Sequence, residues 1–341
     1  MPGPFGFRGD VGDPEDPLNG ERDLAEFNCG KQSAFVPVHK CRRFISSCRF
    51  IHHSLTAGSP VVFSCRVVAL YWGAGRVMDE LRDTAIIVPT LGTRPDLLGM
   101  CIESIRASGC SIIHVVIPDP YLVQGLVDAG KVAKVVQDPG NGLAAAINAG
   151  IGSLPDSITY VNWLGDDDLL THGSVHLVRQ VLEDDSSVAL AFGACDYVDD
   201  SGRVIFHSKS GRWAPWLMYA GPQMVPQPGS LFRVSDFKAV GGLDTGYKFA
   251  FDLDLMMKLH RVGRFCHLPH TLSNFRWHAG SLSVGGRGGS VAEASQIRVR
   301  NLPRFIRPFS ILWEPVVRRA ILAAGVRVTR RASLTSSGVD G

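Results

Sequence analysis

The feature that most constrains this chain is a run of alternating strand and helix patterns between Thr84 and Glu183. TAIIVP (84–89), SIIHVVI (111–117), VAKVV (132–136) and ITYVNWL (158–164) are short apolar runs rich in β-branched residues, the mark of strands buried on both faces. Between them, 94–107 sets Leu98, Cys101, Ile102 and Ile105 at helical spacing, and 122–129 and 141–151 read as further helices. The segment 172–183 turns Val175, Val178 and Leu182 inward, with Thr171 as its expected N-cap. Strands that alternate with helices through short links specify an α/β fold with a mostly parallel central sheet and helices on both faces. Further on, 188–198 and 203–207 flank Asp199-Asp200-Ser201-Gly202, a predicted hairpin. A helix near 252–262 and a strand near 264–268 follow.

The remainder is organised by charge and by breakers. Apolar residues make up 45% and charged residues 20%, which excludes wholesale disorder. Residues 1–77 open with Gly, Pro and Asp and continue into CRRFISSCRFIHH; they read as an irregular, dispensable extension ahead of Met78. The eight cysteines are scattered without a CxxC, so neither zinc nor a disulfide framework is expected, and a reduced cytoplasmic setting fits. No run is long and apolar enough for a membrane span, and the N-terminus lacks the apolar core of a signal peptide. From Val291 onward nine arginines stand against three acids, leaving +6 there and −3 for residues 1–290. Phe305, Phe309, Ile311, Leu312, Trp313, Val316 and Val317 interleave with those arginines. The basic segment 284–341 is therefore read either as an amphipathic element on an anionic membrane surface or as a helix docked on its own domain.

An open parallel sheet binds ligands beyond the carboxyl ends of its strands. Gly165-Asp166-Asp167-Asp168 stands there, directly after YVNWL. Three contiguous carboxylates resist joint ionisation, and a hard divalent cation, magnesium or manganese, resolves the conflict while bridging a diphosphate. The plainer alternative is a solvated acidic turn capping the next helix through Asp168 or Thr171. A second motif, Gly140-Asn141-Gly142-Leu143-Ala144-Ala145, fits a dinucleotide fingerprint in form. It follows the third strand rather than the first, and no acid ends the next strand, so a tight turn before an exposed helix N-terminus is the better reading.

In order along the chain, VPTLGTRPDLLGMCIESI (88–105), NGLAAAINAGI (141–151), YVNWLGDDDLL (160–170), QPGSLFR (227–233), GGLDTGYKFAFDLDL (241–255) and RWHAGSLS (276–283) resemble the family-2 glycosyltransferases, nucleotide-sugar enzymes of the GT-A fold. The resemblance covers about 200 residues, 84–283, within an expected transferase domain at 78–283. It implies a Rossmann-like nucleotide-binding half and a smaller acceptor-side region. It also implies an inverting transferase of hexosyl type, working in polysaccharide biosynthesis. The sugar would move from a nucleotide-diphosphate donor to a glycan or lipid-linked acceptor, with a manganese or magnesium cofactor and no nucleic-acid partner. The scattered cysteines and the basic tail, read apart from the resemblance, give the expected location as the cytoplasm, either free or peripheral on the inner face of the membrane.

The resemblance also assigns roles. Pro89 and Thr90, with Leu91, border the base and ribose; Asp119 is the acid for the base, although Pro118-Asp119-Pro120 is shorter than the family's acidic stretch. Asn141, Gly142 and Asn148 lie near the nucleotide, while Ala146 replaces an arginine common in that helix. Asp166 and Asp167 face the donor. The metal motif is read as Asp167 and Asp168, with Asp166 and Asp168 as the alternative register, and His278 as a further ligand. Arg276 offsets phosphate charge. Asp252 matches the second acid of the family's catalytic pair and is the expected base; Phe251 replaces the first. Trp213, Trp216 and Tyr219 either stack on a sugar or pack at the sheet edge. The competing classes are an oxidoreductase using the Gly140 motif and a non-catalytic nucleotide- or sugar-binding domain.

Overall fold

A computed structural model describes residues 24–29, 32–37, 80–208, 210–278, 280 and 286–336. The chain divides into two compact units, Met1–Gly75 and Arg76–Gly341. In the first, β1 (Leu24–Cys29) and β2 (Gln32–Pro37) form an antiparallel pair with Leu24 opposite Pro37. Part of the segment expected to be irregular is thus a hairpin. The run CRRFISSCRFIHH (41–53) and the remainder of 1–79 lie outside the described residues.

The second unit is built on a nine-stranded mixed sheet. Its strands are β3 (Leu81–Pro89), β4 (Cys110–Ile117), β5 (Lys134–Gln137), β6 (Tyr160–Trp163), β7 (Leu169–Leu170), β8 (Val188–Val198), β9 (Val204–His207), β10 (Leu231–Arg233) and β11 (Arg264–Arg276). The order is β5-β4-β3-β6-β10-β8-β11-β7, with β9 paired to β8. β3, β4, β5 and β6 are mutually parallel; β10 runs antiparallel to both β6 and β8, which makes β8 and its parallel neighbour β11 co-directional with the first four. Six carboxyl ends therefore share one edge.

The helices follow from their sequences. α1 (Pro95–Ala107) opens on Pro95, whose missing N–H costs nothing at that position, and buries the expected Leu98, Cys101, Ile102 and Ile105. After β4 comes a 3-10 turn (Pro120–Val123) and the short α2 (Gln124–Asp128). α3 (Leu143–Gly152) lies so close to the sheet that a Cβ on Gly150 would stand 2.5 Å from Ile87 and 2.8 Å from Val116. α4 (Ser174–Asp184) buries Val175, Val178 and Leu182 as expected. Its N-cap, however, is Gly173 in the left-handed conformation (φ 69°), not Thr171. Thr171 is drawn away because its hydroxyl donates to the Thr271 carbonyl at 3.0 Å and its amide to that of Leu272, tying it to β11. Each Leu, Ile or Val buried this way contributes about 1.5–3 kcal/mol.

The later elements are α5 (Ala214–Leu217), α6 (Val234–Ala239), α7 (Phe251–Val262), α8 (Arg287–Asn301), a 3-10 segment (Arg307–Leu312) and α9 (Glu314–Ser336). The predicted hairpin is present, with Asp199 accepting from the backbone N–H of Ser201 and Arg203. The predicted strand near 264–268 is longer than expected: β11 continues to Arg276, in parallel register with β8 as far as Val198.

Candidate functional site

The parallel pairing Ile87↔Trp163 sets the loop after β3 beside the loop after β6. The acidic triplet 166–168 then spans from β6 to the two-residue β7, which pairs with Ser273 and Asn274 of β11. This brings Thr90, Arg94, Asp166, Asp167, Asp168, Arg276 and His278 together.

Their contacts form one connected network. Thr90 donates its hydroxyl to Asp166 Oδ2 at 2.5 Å and accepts the Gly92 N–H through the same oxygen. Arg94, just ahead of α1, reaches Asp166 Oδ1 at 2.5 Å and Asp167 Oδ2 at 2.7 Å with its two terminal nitrogens. His278 Nε2 lies 2.6 Å from Asp167 Oδ2. Because Nδ1 of that ring accepts the Gly280 N–H at 3.1 Å, Nε2 carries the proton and donates to Asp167. Asp168 accepts the Arg276 N–H at 3.0 Å. The Arg276 side chain, itself buried, donates to the carbonyls of Asp167, Asp199 and Asp200.

The three carboxylates are not splayed into water: Asp166 and Asp168 are buried and Asp167 nearly so. Burial, reinforced by the Asp167 charge, holds the Asp168 carboxyl well above the ordinary aspartate range. Two carboxylates against two guanidinium groups, with a third acid held toward its neutral form, is a balanced arrangement. The expected reconciliation through a shared dication is met here by Arg94. Its guanidinium fills the corner between Asp166, Asp167 and His278, standing 3.0 Å from His278 Nε2. Among the described residues, no three His, Cys, Asp or Glu side chains are arranged to hold a metal ion. In this arrangement Arg94, not a dication, occupies the corner between those donors. At Gly165 the packing is tight: a Cβ there would lie 3.0 Å from Asp167 Oδ1 and 3.1 Å from Asp168 Oδ2, and those carboxylates would have to shift by a few tenths of an ångström to admit it.

Asp252 stands in the first turn of α7. Its neighbour Phe251 packs on Trp163 with ring centroids 6.4 Å apart. Gln223 donates to Asp252 Oδ2 at 3.1 Å, and four residues on Gln227 donates to the Trp163 carbonyl at 2.7 Å and to Asn162 Oδ1. The segment 223–227 thus bridges the end of β6 and the acid. Burial raises the Asp252 carboxyl above its ordinary value, offset in part by the Leu253 N–H and Gln223. The chain leading into α7 is held by Glu293 of α8, whose carboxylate accepts the N–H groups of Lys248, Phe249 and Ala250 at 2.7–3.0 Å.

The other expected residues are placed as follows. Pro89 ends β3, opposite Val116. Asp119 is exposed after β4 and accepts the Tyr121 N–H, so it caps the 3-10 turn while lying on the ligand edge. Asn141 and Gly142 are exposed ahead of α3, with Gly142 at φ 90°. Asn148 has both ends of its amide engaged with the Leu243 backbone, at 2.9 and 3.1 Å, and acts as a clamp between α3 and the 241–243 turn. Trp216 and Tyr219 cluster around His260, the Tyr219 hydroxyl 3.1 Å from its Nδ1, while Trp213 and Trp216 stay exposed. Sequence reasoning missed Arg94, Gln223 and Glu293. For Arg94 the signal was present, as an arginine between a buried strand and its helix on the ligand edge. A cavity of about 220 Å³ lined by Glu80, Arg106, Cys110 and His172 lies at the opposite, amino-terminal edge of the strands and has no part in this network.

No protein-family model and no curated protein sequence matches the chain. Among solved structures, it is similar to the mannosyltransferase PcManGT from Pyrobaculum calidifontis in complex with GDP-Man and Mn2+, at 15% identity and TM-score 0.48 over 88% of this chain and 87% of that one. It is also similar to S. aureus TarS 1-349, at 13% identity and TM-score 0.47, covering 66% of this chain and 68% of that one. In the longer TarS structure it spans 54% of the chain, at 14% identity and TM-score 0.46.

Proposed function

We propose that the chain is a glycosyltransferase that takes a sugar from a nucleotide-diphosphate donor and passes it, with inversion, to a hydroxyl of a glycan or lipid-linked acceptor. The observation that carries this reading is the gathering of Arg94, the 166–168 triplet, Arg276 and His278 on the carboxyl edge of an α/β sheet, with Asp252 tied through the 223–227 segment to the end of β6. The ordered motifs at 88–283 supply the donor class.

In this reading the loop at Pro89 and Thr90 and the rim at Asp119, Asn141 and Gly142 border the nucleoside. Asp252 takes the proton of the acceptor hydroxyl as its oxygen bonds to the anomeric carbon. The bond from that carbon to the diphosphate oxygen breaks, and the leaving diphosphate carries away the electron pair. Arg94 keeps donors beyond those spent on Asp166 and Asp167, and they meet the developing charge. Asp166 and Asp167 fix the guanidinium, and His278 orients Asp167. Metal roles for Asp167, Asp168 and His278 would require Arg94 to leave its corner. Asn148 supports the nucleotide side indirectly, through Leu243.

The test is thermal unfolding with UDP, GDP and their sugar conjugates, with and without manganese. A true ligand at a hundredfold its Kd adds about 2.7 kcal/mol of stability. One nucleotide class raising Tm, followed by release of that nucleotide on adding acceptor lipid or glycan, is expected. No stabilisation by any of them would remove the reading.

A further inference from the structure

Near the C-terminus the structure exposes an unusual concentration of large apolar side chains. Phe305, Phe309, Ile311, Leu312 and Val316 are 75%, 59%, 74%, 72% and 63% exposed, all within twelve residues around the 3-10 segment. Soluble surfaces scatter such residues singly; a contiguous set marks an interaction site. Around it, between 302 and 331, stand Arg304, Arg307, Arg318, Arg319, Arg327, Arg330 and Arg331, all exposed. The sole acid in that span is Glu314, which is buried and bound at 2.8 and 2.9 Å by the fully buried Arg298 and at 2.6 Å by Ser295. That contact anchors the start of α9 to α8, and Thr329 of α9 bonds to Trp277 and Arg287. The tail is therefore docked on its own domain at those points, yet it leaves the 305–316 surface bare.

We infer that this surface docks on an anionic membrane, the five apolar side chains entering the interface and the arginines facing lipid headgroups. Charge selects this occupant. A second copy of the chain would bring arginines against arginines, and a nucleic acid would leave the apolar side chains in water. No helix among the described residues is long and apolar enough to cross a membrane, which suits surface attachment. The platform is set by the Glu314–Arg298 pair before the lipid arrives, so little ordering is needed on binding.

The experiment is sedimentation of the full chain with vesicles of phosphatidylcholine alone or mixed equally with phosphatidylglycerol. Binding to the mixed vesicles only, weakened as salt rises from about 0.1 M to about 0.5 M, is expected. Arg318→Gln with Arg319→Gln should weaken it about 25-fold, at about fivefold per arginine near the surface. Phe309→Ser with Ile311→Ser should abolish it. Unchanged Tm in both pairs separates lost docking from lost folding. Equal binding to neutral vesicles, no binding to either, or a dimer that the serine pair dissociates would each overturn the inference.

Discussion

Arg94 Nη1 stands 2.7 Å from Asp167 Oδ2, at the point where a cation shared by the acidic triplet was expected. The guanidinium is about one-third exposed, so part of it still faces solvent on the ligand edge. A planar fork held by two carboxylates is a preorganised diphosphate contact and loses little entropy on use. Nucleotide affinity measured by calorimetry should therefore persist in EDTA and fall about tenfold to a hundredfold in Arg94→Ala, as loss of a charge-assisted hydrogen bond requires. Arg94→Lys should recover only part, because an ammonium cannot bridge Asp166 and Asp167 together. Affinity that vanishes with EDTA and ignores Arg94→Ala would hand the role back to a dication.

Asp252 carries the base assignment, and pH reads it. A carboxylate base works only when ionised. Burial lifts this one above the ordinary value of 3.8, so kcat/KM should drop as pH falls through a pKa higher than that of a surface aspartate. Asp252→Asn should lose about 10²–10⁴ in turnover, keep its nucleotide affinity and show no acid limb in its residual rate. A variant that turns over normally would place the base elsewhere.

Asp168 makes the opposite use of burial. Its folded carboxyl titrates well above 3.8, so the native state holds a proton that the unfolded chain gives up first. Stability tied to this group is complete below the unfolded pKa, declines as pH rises above it, and levels off once the folded group ionises. Asp168→Asn retains an acceptor for the Arg276 N–H and carries no charge. Its Tm should equal the wild-type value near pH 4 and exceed it near pH 8. Parallel Tm curves for the two proteins across that range would show that Asp168 is ionised in the fold.

How much of this was legible depends on whether local pattern or long-range pairing decides a residue's place. Leu98, Cys101, Ile102 and Ile105 were readable because helical periodicity alone fixes the buried face of α1. The triplet was readable because a strand end in an α/β sheet is a ligand edge. β11 beyond Leu268 was not: His270, Thr271 and Asn274 lack an apolar alternation, and their pairing with β8 carries register shifts that no sequence window encodes. Thr171 looked like a cap by local rule but was captured by β11, a partner 100 residues away. Arg94 and Glu293 act through contacts 43 residues or more away and Gln223 through one 29 away, and of the three only Arg94, standing between a buried strand and its helix, carried a signal in the sequence.

Glu293 gives the last prediction. Its carboxylate accepts three consecutive N–H groups, from Lys248, Phe249 and Ala250, at the entry to α7. Negative charge at a helix start is favourable, and three amides without an acceptor are costly. Glu293→Ala should lower stability by about 1–3 kcal/mol, softened where water reaches the vacated amides, and Glu293→Gln by less. The informative readout is kinetic. The held segment leads into the helical turn that carries Asp252 and bears none of the groups assigned to the nucleotide, so kcat should fall in Glu293→Ala while nucleotide Kd holds and Glu293→Gln restores part of the rate. If kcat survives at temperatures where the variant is folded, the entry to α7 positions nothing that the reaction uses.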